Sequence, residues 1–267
     1  MKKTLATLAA ALLTGISTLA GASGGADLRM APAPIHRLDA ESLQRGARNF
    51  VNYCLNCHSA KYMRYERLQD IGLTEQQIKD NLMFGTDKIG SAMTVALTPA
   101  EGKAWFGAVP PDLSVEARVR GADWLYNYLL GFYRDDSTPT GWNNLVFPNV
   151  GMPHVLWGLS GSGKLVSTEY PNHEAALGAA IGTKGLALVE PMLGGKYVVR
   201  TVAADVPGTM SPVEYRAMAA DLVNFMDYMG EPARNKRITL GIIVLMFLGL
   251  LFFFAYWLKR EYWKDVH

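Results

Sequence analysis

Both cysteines of this 267-residue chain fall in one pentapeptide, Cys54-Leu55-Asn56-Cys57-His58. A disulfide between them would close so small a loop that it constrains little of the unfolded chain. A thiol–disulfide oxidoreductase places such a pair at the start of a helix in a thioredoxin-like βαβ setting. Here the pair closes a helix, and no such pattern surrounds it. A structural zinc site needs four ligands, and the chain offers no further cysteine and only five histidines. The pattern that fits is covalent attachment of one c-type haem, with thioethers from Cys54 and Cys57 and an iron ligand from His58.

His58 would fill one axial position, so the chemistry turns on the other. A methionine thioether there favours ferrous iron and electron transfer, whereas an open position admits ligands or peroxide. Most of the twelve methionines must serve packing or the membrane. Met152 stands apart in Phe147-Pro148-Asn149-Val150-Gly151-Met152-Pro153-His154, a loop stiffened by two prolines and able to hold a side chain over an open face. Met93, Met210, Met83 and His154 are the alternatives. His36, His173 and His267 read as surface residues.

The elements around these residues are partly legible. From Asp39, a good N-cap, Leu43, Ala47, Phe50, Val51 and Cys54 recur at helical spacing. The cysteines therefore end an amphipathic helix. Thr74 and Gln77 form a capping box for a second helix running to about Phe84. Residues 85–120, punctuated by glycine and proline, are expected to be loop. A third helix is expected from Ala122. Residues 134–163 carry turn chemistry, and 185–202 suggest a hairpin about Gly194-Gly195. Ser211-Pro212-Val213-Glu214 has the cap, proline and capping glutamate of a helix start. That helix should run to Met229 and stop at Gly230.

The two ends of the chain are apolar for different reasons. Lys2 and Lys3, the Ala/Leu core Leu5–Leu19 and Ala20-Gly21-Ala22 make a secretory signal peptide over residues 1–22. Ile238–Leu258 is uncharged over 21 residues, long enough at 1.5 Å per residue to span roughly 30 Å of hydrocarbon. Tyr256 and Trp257 suit its interface. Basic residues flank both ends of this span, so orientation rests on the signal peptide. An exported domain over 23–237 is expected, with a transmembrane helix over 238–258 and a cytoplasmic tail over 259–267. Between Ser23 and Gly230, eighteen Lys and Arg stand against twenty-one Asp and Glu, a net charge of about −3. That balance disfavours nucleic acid and admits a basic partner.

Five ordered stretches resemble the cytochrome c1 family, the membrane-anchored haem subunits of quinol–cytochrome c oxidoreductase. They are the leader, "NYCLNCHSA", "VPPDLSVEARVRGADWLYNYLLGFY", "TPTGWNNLVFPNVGMPHVLW" and "GTMSPVEYRAMAADLVNFMDYMGEPARNKR" running into the anchor. The resemblance covers most of Leu38 to Arg260. It implies that Cys54 and Cys57 are the thioether cysteines, that His58 is the proximal ligand and that Met152 is the sulfur ligand. It further implies that Arg120 pairs with a haem propionate, with Arg118 two residues before it, and that Pro111 and Tyr126 contact the haem edge. Lys164–Pro207 matches no motif of the family.

The implied fold is mainly α, a class I cytochrome c-like haem domain with long loop insertions plus one C-terminal transmembrane helix. The helix before Cys54 would pack on the helix from Pro212. The implied function is electron transfer from the Rieske iron–sulfur protein to a soluble or tethered cytochrome c, beside cytochrome b, in a dimer of complexes in a bacterial inner membrane, with the haem domain in the periplasm. No substrate bond is broken at such a haem. The competing readings are a stand-alone tethered cytochrome c shuttle, a haem peroxidase and a haem-based gas sensor.

Overall fold

Asp39 starts helix α1 (Ala40–Asn49) by accepting a hydrogen bond from the Ser42 amide at 3.0 Å, and the stripe Leu43, Ala47, Phe50 and Val51 is buried. The computed structural model describes residues 26–183 and 185–266, so the leader expected at 1–22 lies outside them. The described residues gather into two compact units. One comprises residues up to Arg29 with Ser167–Arg200; the other comprises Met30–Val166 and Thr201 onward.

In the larger unit α1 is followed by α2 (Glu75–Leu82), α3 (Pro99–Phe106), α4 (Glu116–Arg120), α5 (Ala122–Leu130) and α6 (Trp157–Ser160). After α7 (His173–Gly182) of the smaller unit come α8 (Pro212–Gly230) and α9 (Arg234–Tyr262). About half of the described residues are helical. Helix α8 begins with the capping box read from Ser211 and Glu214, and α2 with that of Thr74 and Gln77.

Helices α1 and α8 pack face to face, also as expected. The Phe50 and Phe225 rings sit 5.6 Å apart at 54°. The contact is so close that a Cβ on Gly46 would lie 2.1 Å from the Asp221 carbonyl oxygen and 2.6 Å from the Phe225 Cβ. Asp221 also ties the pair at its rim, accepting from Ser42 Oγ at 2.7 Å and from Arg45 Nε at 2.6 Å.

The stretch 85–120 corrects the sequence expectation. It contains α3, α4 and strand β3 (Ala92–Met93), which pairs with β2 (Ala60–Arg64). Helix α3 opens with Thr98, proline at the first turn and Glu101, the same capping box that marks α8. Gly102 and Gly107 masked this signal by reading as breakers. A second two-stranded ribbon joins β4 (Phe132–Arg134) to β5 (Trp142–Asn144).

Around the hairpin expected at 185–202, residues 164–207 hold further regular structure. A four-stranded sheet has the order β1 (Asp27–Arg29), β7 (Ala187–Pro191), β8 (Tyr197–Pro207), β6 (Gly161–Tyr170). Strands β7 and β8 form the expected antiparallel hairpin, pairing Leu188 with Arg200 and Pro191 with Tyr197. Its turn uses Gly194 and Gly195 at φ 81° and 78°, backbone that residues with a Cβ rarely adopt. Helix α7 covers this hairpin's own small core of Ala176, Ala180, Ala187, Val189 and Val199.

Helix α9 is long and apolar enough over the 27 residues Lys236–Tyr262 to cross a membrane, and its apolar window is not buried, which fits single-pass membrane anchoring. Only Glu231, Pro232 and Ala233 separate it from α8. Glu231 is clasped there by Arg237 at 2.8 Å and Arg118 at 3.7 Å.

Candidate functional site

The cysteines leave α1 through a change of pitch. Phe50–Cys54 forms a π-helical turn in which the Leu55 amide reaches back to the Phe50 carbonyl at 3.0 Å. Such widened turns cluster at functional sites. The Cys54 carbonyl then accepts from the amides of Cys57 at 3.1 Å and His58 at 2.9 Å, folding the pentapeptide back on itself. Neither cysteine is in a disulfide. Burial pushes the Cys54 thiol up to about 12 and raises that of Cys57. This is the opposite of the acidic thiol that disulfide exchange needs.

His58 is half-buried, and its Nδ1 lies 2.8 Å from the Pro111 carbonyl oxygen. A carbonyl can only accept, so Nδ1 carries the proton and the Nε2 lone pair is free for a metal. Burial lowers the His58 pKa, against the opposing pull of that hydrogen bond, and so favours the neutral ring. The Pro111 segment is itself pinned alongside the motif. The Leu113 amide donates to the Ser59 carbonyl at 2.8 Å, the Lys61 amide to Asp112 at 3.0 Å and the Tyr62 amide to Ser114 Oγ at 3.0 Å. Orienting a ligating histidine through its second nitrogen is a common device of metal sites.

Met152 belongs to a different cluster from the other candidate methionines. It packs beside Phe132, Trp142 and Val150, and its Sδ accepts from the Tyr128 hydroxyl at 3.4 Å. Its loop is held by two buried asparagines that the sequence expectations do not include. Asn144 Oδ1 accepts from the Val146 amide at 2.9 Å, and Asn143 Oδ1 accepts from the amides of Asn144 and Asn149, both at 2.8 Å. Asn149 takes a left-handed φ of 59°, which asparagine tolerates better than most residues. Adjacent asparagines among apolar neighbours, just before Pro148 and Pro153, were the available signal.

The alternatives are occupied elsewhere. Met93 is fully buried in the main core, and Met83 and Met210 pack against it. His154 is 4% exposed, stacks on Phe132 at 4.6 Å and 6°, and holds Ser160 Oγ with Nε2 at 2.8 Å. Burial there lowers its pKa to about 4. His36 and His173 are exposed. His267 lies outside the described residues.

The paired arginines diverge. Arg120 bonds Glu116 and lies over the Trp124 ring, 4.4 Å from its centroid. Trp124 in turn stacks on Tyr128 at 5.0 Å and 11°. Arg118 points instead to Glu231, just past the end of α8. Tyr126 is buried in the main core with Leu125 and Leu129.

The donor set suits a c-type haem. Two cysteines outside any disulfide flank a helix end, the adjoining imidazole offers Nε2, and a thioether is held on a separate rigid loop.

Comparison with known proteins agrees. The model of the Cytochrome C1 family matches residues 31–87 and 200–266. A cytochrome c1 of Allochromatium vinosum is 45% identical over 97% of this chain and 98% of its own length, so its likeness also crosses 88–199. A protein of Nitrosomonas europaea called ammonia monooxygenase gamma subunit is 46% identical over 92% of each chain. A cytochrome c1 of Rhodospirillum rubrum is 27% identical over 86% of this chain and 84% of its own.

Proposed function

The chain belongs to the cytochrome c1 family and carries a covalent c-type haem, and from that premise we propose that it passes electrons from the Rieske iron–sulfur protein to a soluble or tethered cytochrome c. It does so as the haem subunit of quinol–cytochrome c oxidoreductase, beside cytochrome b, in a dimer of complexes. The haem supplies one iron that alternates between ferric and ferrous.

The chain's residues hold and insulate that iron. Cys54 and Cys57 anchor the group through thioethers, His58 ligates through Nε2 and Met152 through Sδ. Arg120 offers a guanidinium for a propionate, whose burial would otherwise be costly. Pro111 acts through its carbonyl on His58, and Pro111 and Tyr126 are assigned to the haem edge. The close α1–α8 crossing supports a class I cytochrome c-like domain over 23–237. A signal peptide over 1–22 would export that domain to the periplasm, with 238–258 spanning the bacterial inner membrane and 259–267 in the cytoplasm.

One observation carries the reading: His58 directly follows Cys57 and is locked by Pro111 into the tautomer that frees Nε2. The name borne by the Nitrosomonas relative differs. The family match at both ends of the chain, anchor included, favours cytochrome c1.

The test is to solubilise membranes mildly, purify the chain by a C-terminal tag and record a reduced-minus-oxidised spectrum. Bands of both b- and c-type haem are expected, with quinol-dependent reduction of cytochrome c. A c-type band alone in every mild detergent overturns the complex and leaves a tethered shuttle. Within the same material Met152→Leu should keep its haem, lower the potential and let ferric iron bind added imidazole. A variant with unchanged potential and closed iron places the sixth ligand elsewhere.

A further inference from the structure

Tyr128 is gripped at both of its polar ends. Its hydroxyl donates to Met152 Sδ at 3.4 Å, and its carbonyl accepts from Asn144 Nδ2 at 2.8 Å. Asn144 is fully buried and at the same time accepts from the Val146 amide, within the segment that leads to Met152. The Tyr128 ring has Trp124 stacked on it one helical turn back, and Phe132, at the start of β4, edge-on at 5.1 Å. Helix α5 and the methionine loop are therefore joined twice, through Asn144 at the backbone and through the Tyr128 hydroxyl at the sulfur.

We infer that Asn144 and Tyr128 form a clamp that fixes the position and the lone pair with which the Met152 sulfur faces the iron. The inference rests on Met152 being the sixth ligand, as proposed above. A thioether sulfur has two lone pairs. With one committed to the Tyr128 hydroxyl, only the other is left for a metal, so the hydrogen bond selects the handedness of ligation. It also draws electron density from the sulfur, which favours the electron-rich ferrous state. Asn144 keeps the loop from backing away, since retreat would strip its buried amide of the Tyr128 carbonyl. Tyr128 and Asn144 are thus positioning residues that set how tightly the iron stays closed and at what potential it works.

The test uses the full-length haem-loaded protein in detergent, with redox titration and imidazole titration of the ferric form. Tyr128→Phe should keep its haem and the far-red band of sulfur-ligated ferric haem. At a fixed poise its ferrous-to-ferric ratio should fall about two- to tenfold, the scale of one hydrogen bond, where tenfold is about 59 mV. Asn144→Ala should bind imidazole more tightly than wild type while retaining its haem. A Tyr128→Phe protein with the wild-type potential overturns the clamp. That variant removes one oxygen from a half-buried ring, so it decides the matter even if loss of the buried Asn144 impairs folding. Met152→Leu separates the two claims. If it leaves potential and imidazole binding unchanged, the ligand assignment fails; if it opens the iron while Tyr128→Phe does nothing, only the clamp fails.

Discussion

Cys54, Cys57 and His58 hang from the end of a helix that meets its partner ring to ring, whereas Met152 hangs from a loop between Asn144 and Trp157 with no helix or strand of its own. The histidine side is positioned by apolar packing of α1 on α8, spread over many side chains. The methionine side is positioned by a few buried amides, each satisfying specific backbone groups. Packing tolerates small errors at any one contact, except where two backbones nearly touch. Hydrogen-bonded pins concentrate the same task in single atoms, and each atom lost leaves a buried donor or acceptor unpaired.

That contrast can be broken first at Gly46. Gly46→Val places side-chain atoms where the Asp221 carbonyl and Phe225 lie, and it should cost about 3 kcal/mol by forcing the helices apart. The check is the thermal midpoint of the haem-loaded protein; a midpoint equal to wild type would show that the α1–α8 contact is looser than described. The second variant probes the other side. Asn143→Ala strips the amides of Asn144 and Asn149 of their acceptor and should cost about 1–3 kcal/mol. Its signature is selective: haem stays attached while imidazole gains access to the iron. Loss of haem attachment instead would mean that the two sides are not separately held.

The smallest effect is one of pH. Asp135 is held below its ordinary 3.8, first by the Asn143 side chain, which donates to it, and then by Ser137. A depressed folded-state pKa stabilises above the unfolded value and loses that contribution as pH falls through the folded one. Wild type should therefore melt above Asp135→Asn at neutral pH, and the gap should close below pH 3.8. A gap that is constant with pH would remove Asp135 from the pinning of the loop.

The same contrast explains what could be read without a structure. Helical periodicity at Leu43, Ala47 and Phe50 announced α1, and Thr74 and Ser211 announced their helices by cap chemistry that acts within four residues. The pentapeptide at Cys54 needs no fold to be recognised. Thr98-Pro99-Ala100-Glu101 carried an equally clear cap, but Gly102 and Gly107 outweighed it, because propensity alone does not show that a glycine can sit inside a helix. Asn143 and Asn144 gave no periodic signal, since their partners are backbone amides whose positions only the fold defines. Helix α7 was hidden for another reason: "HEAALGAAIG" is apolar almost all the way round, and a short helix without a polar face has no period to detect.

The three residues between α8 and α9 bear on how the protein is used. Fully extended they reach roughly 10 Å, and Glu231 at their head is fastened by Arg118 on one side and Arg237 on the other. A long leash would let the domain sample a wide hemisphere above the bilayer and search for partners by itself. This one makes it closer to a fixed pier. For a family that works in electron transport, so short a tie leaves the domain little reach of its own, and contact then depends on a partner's approach.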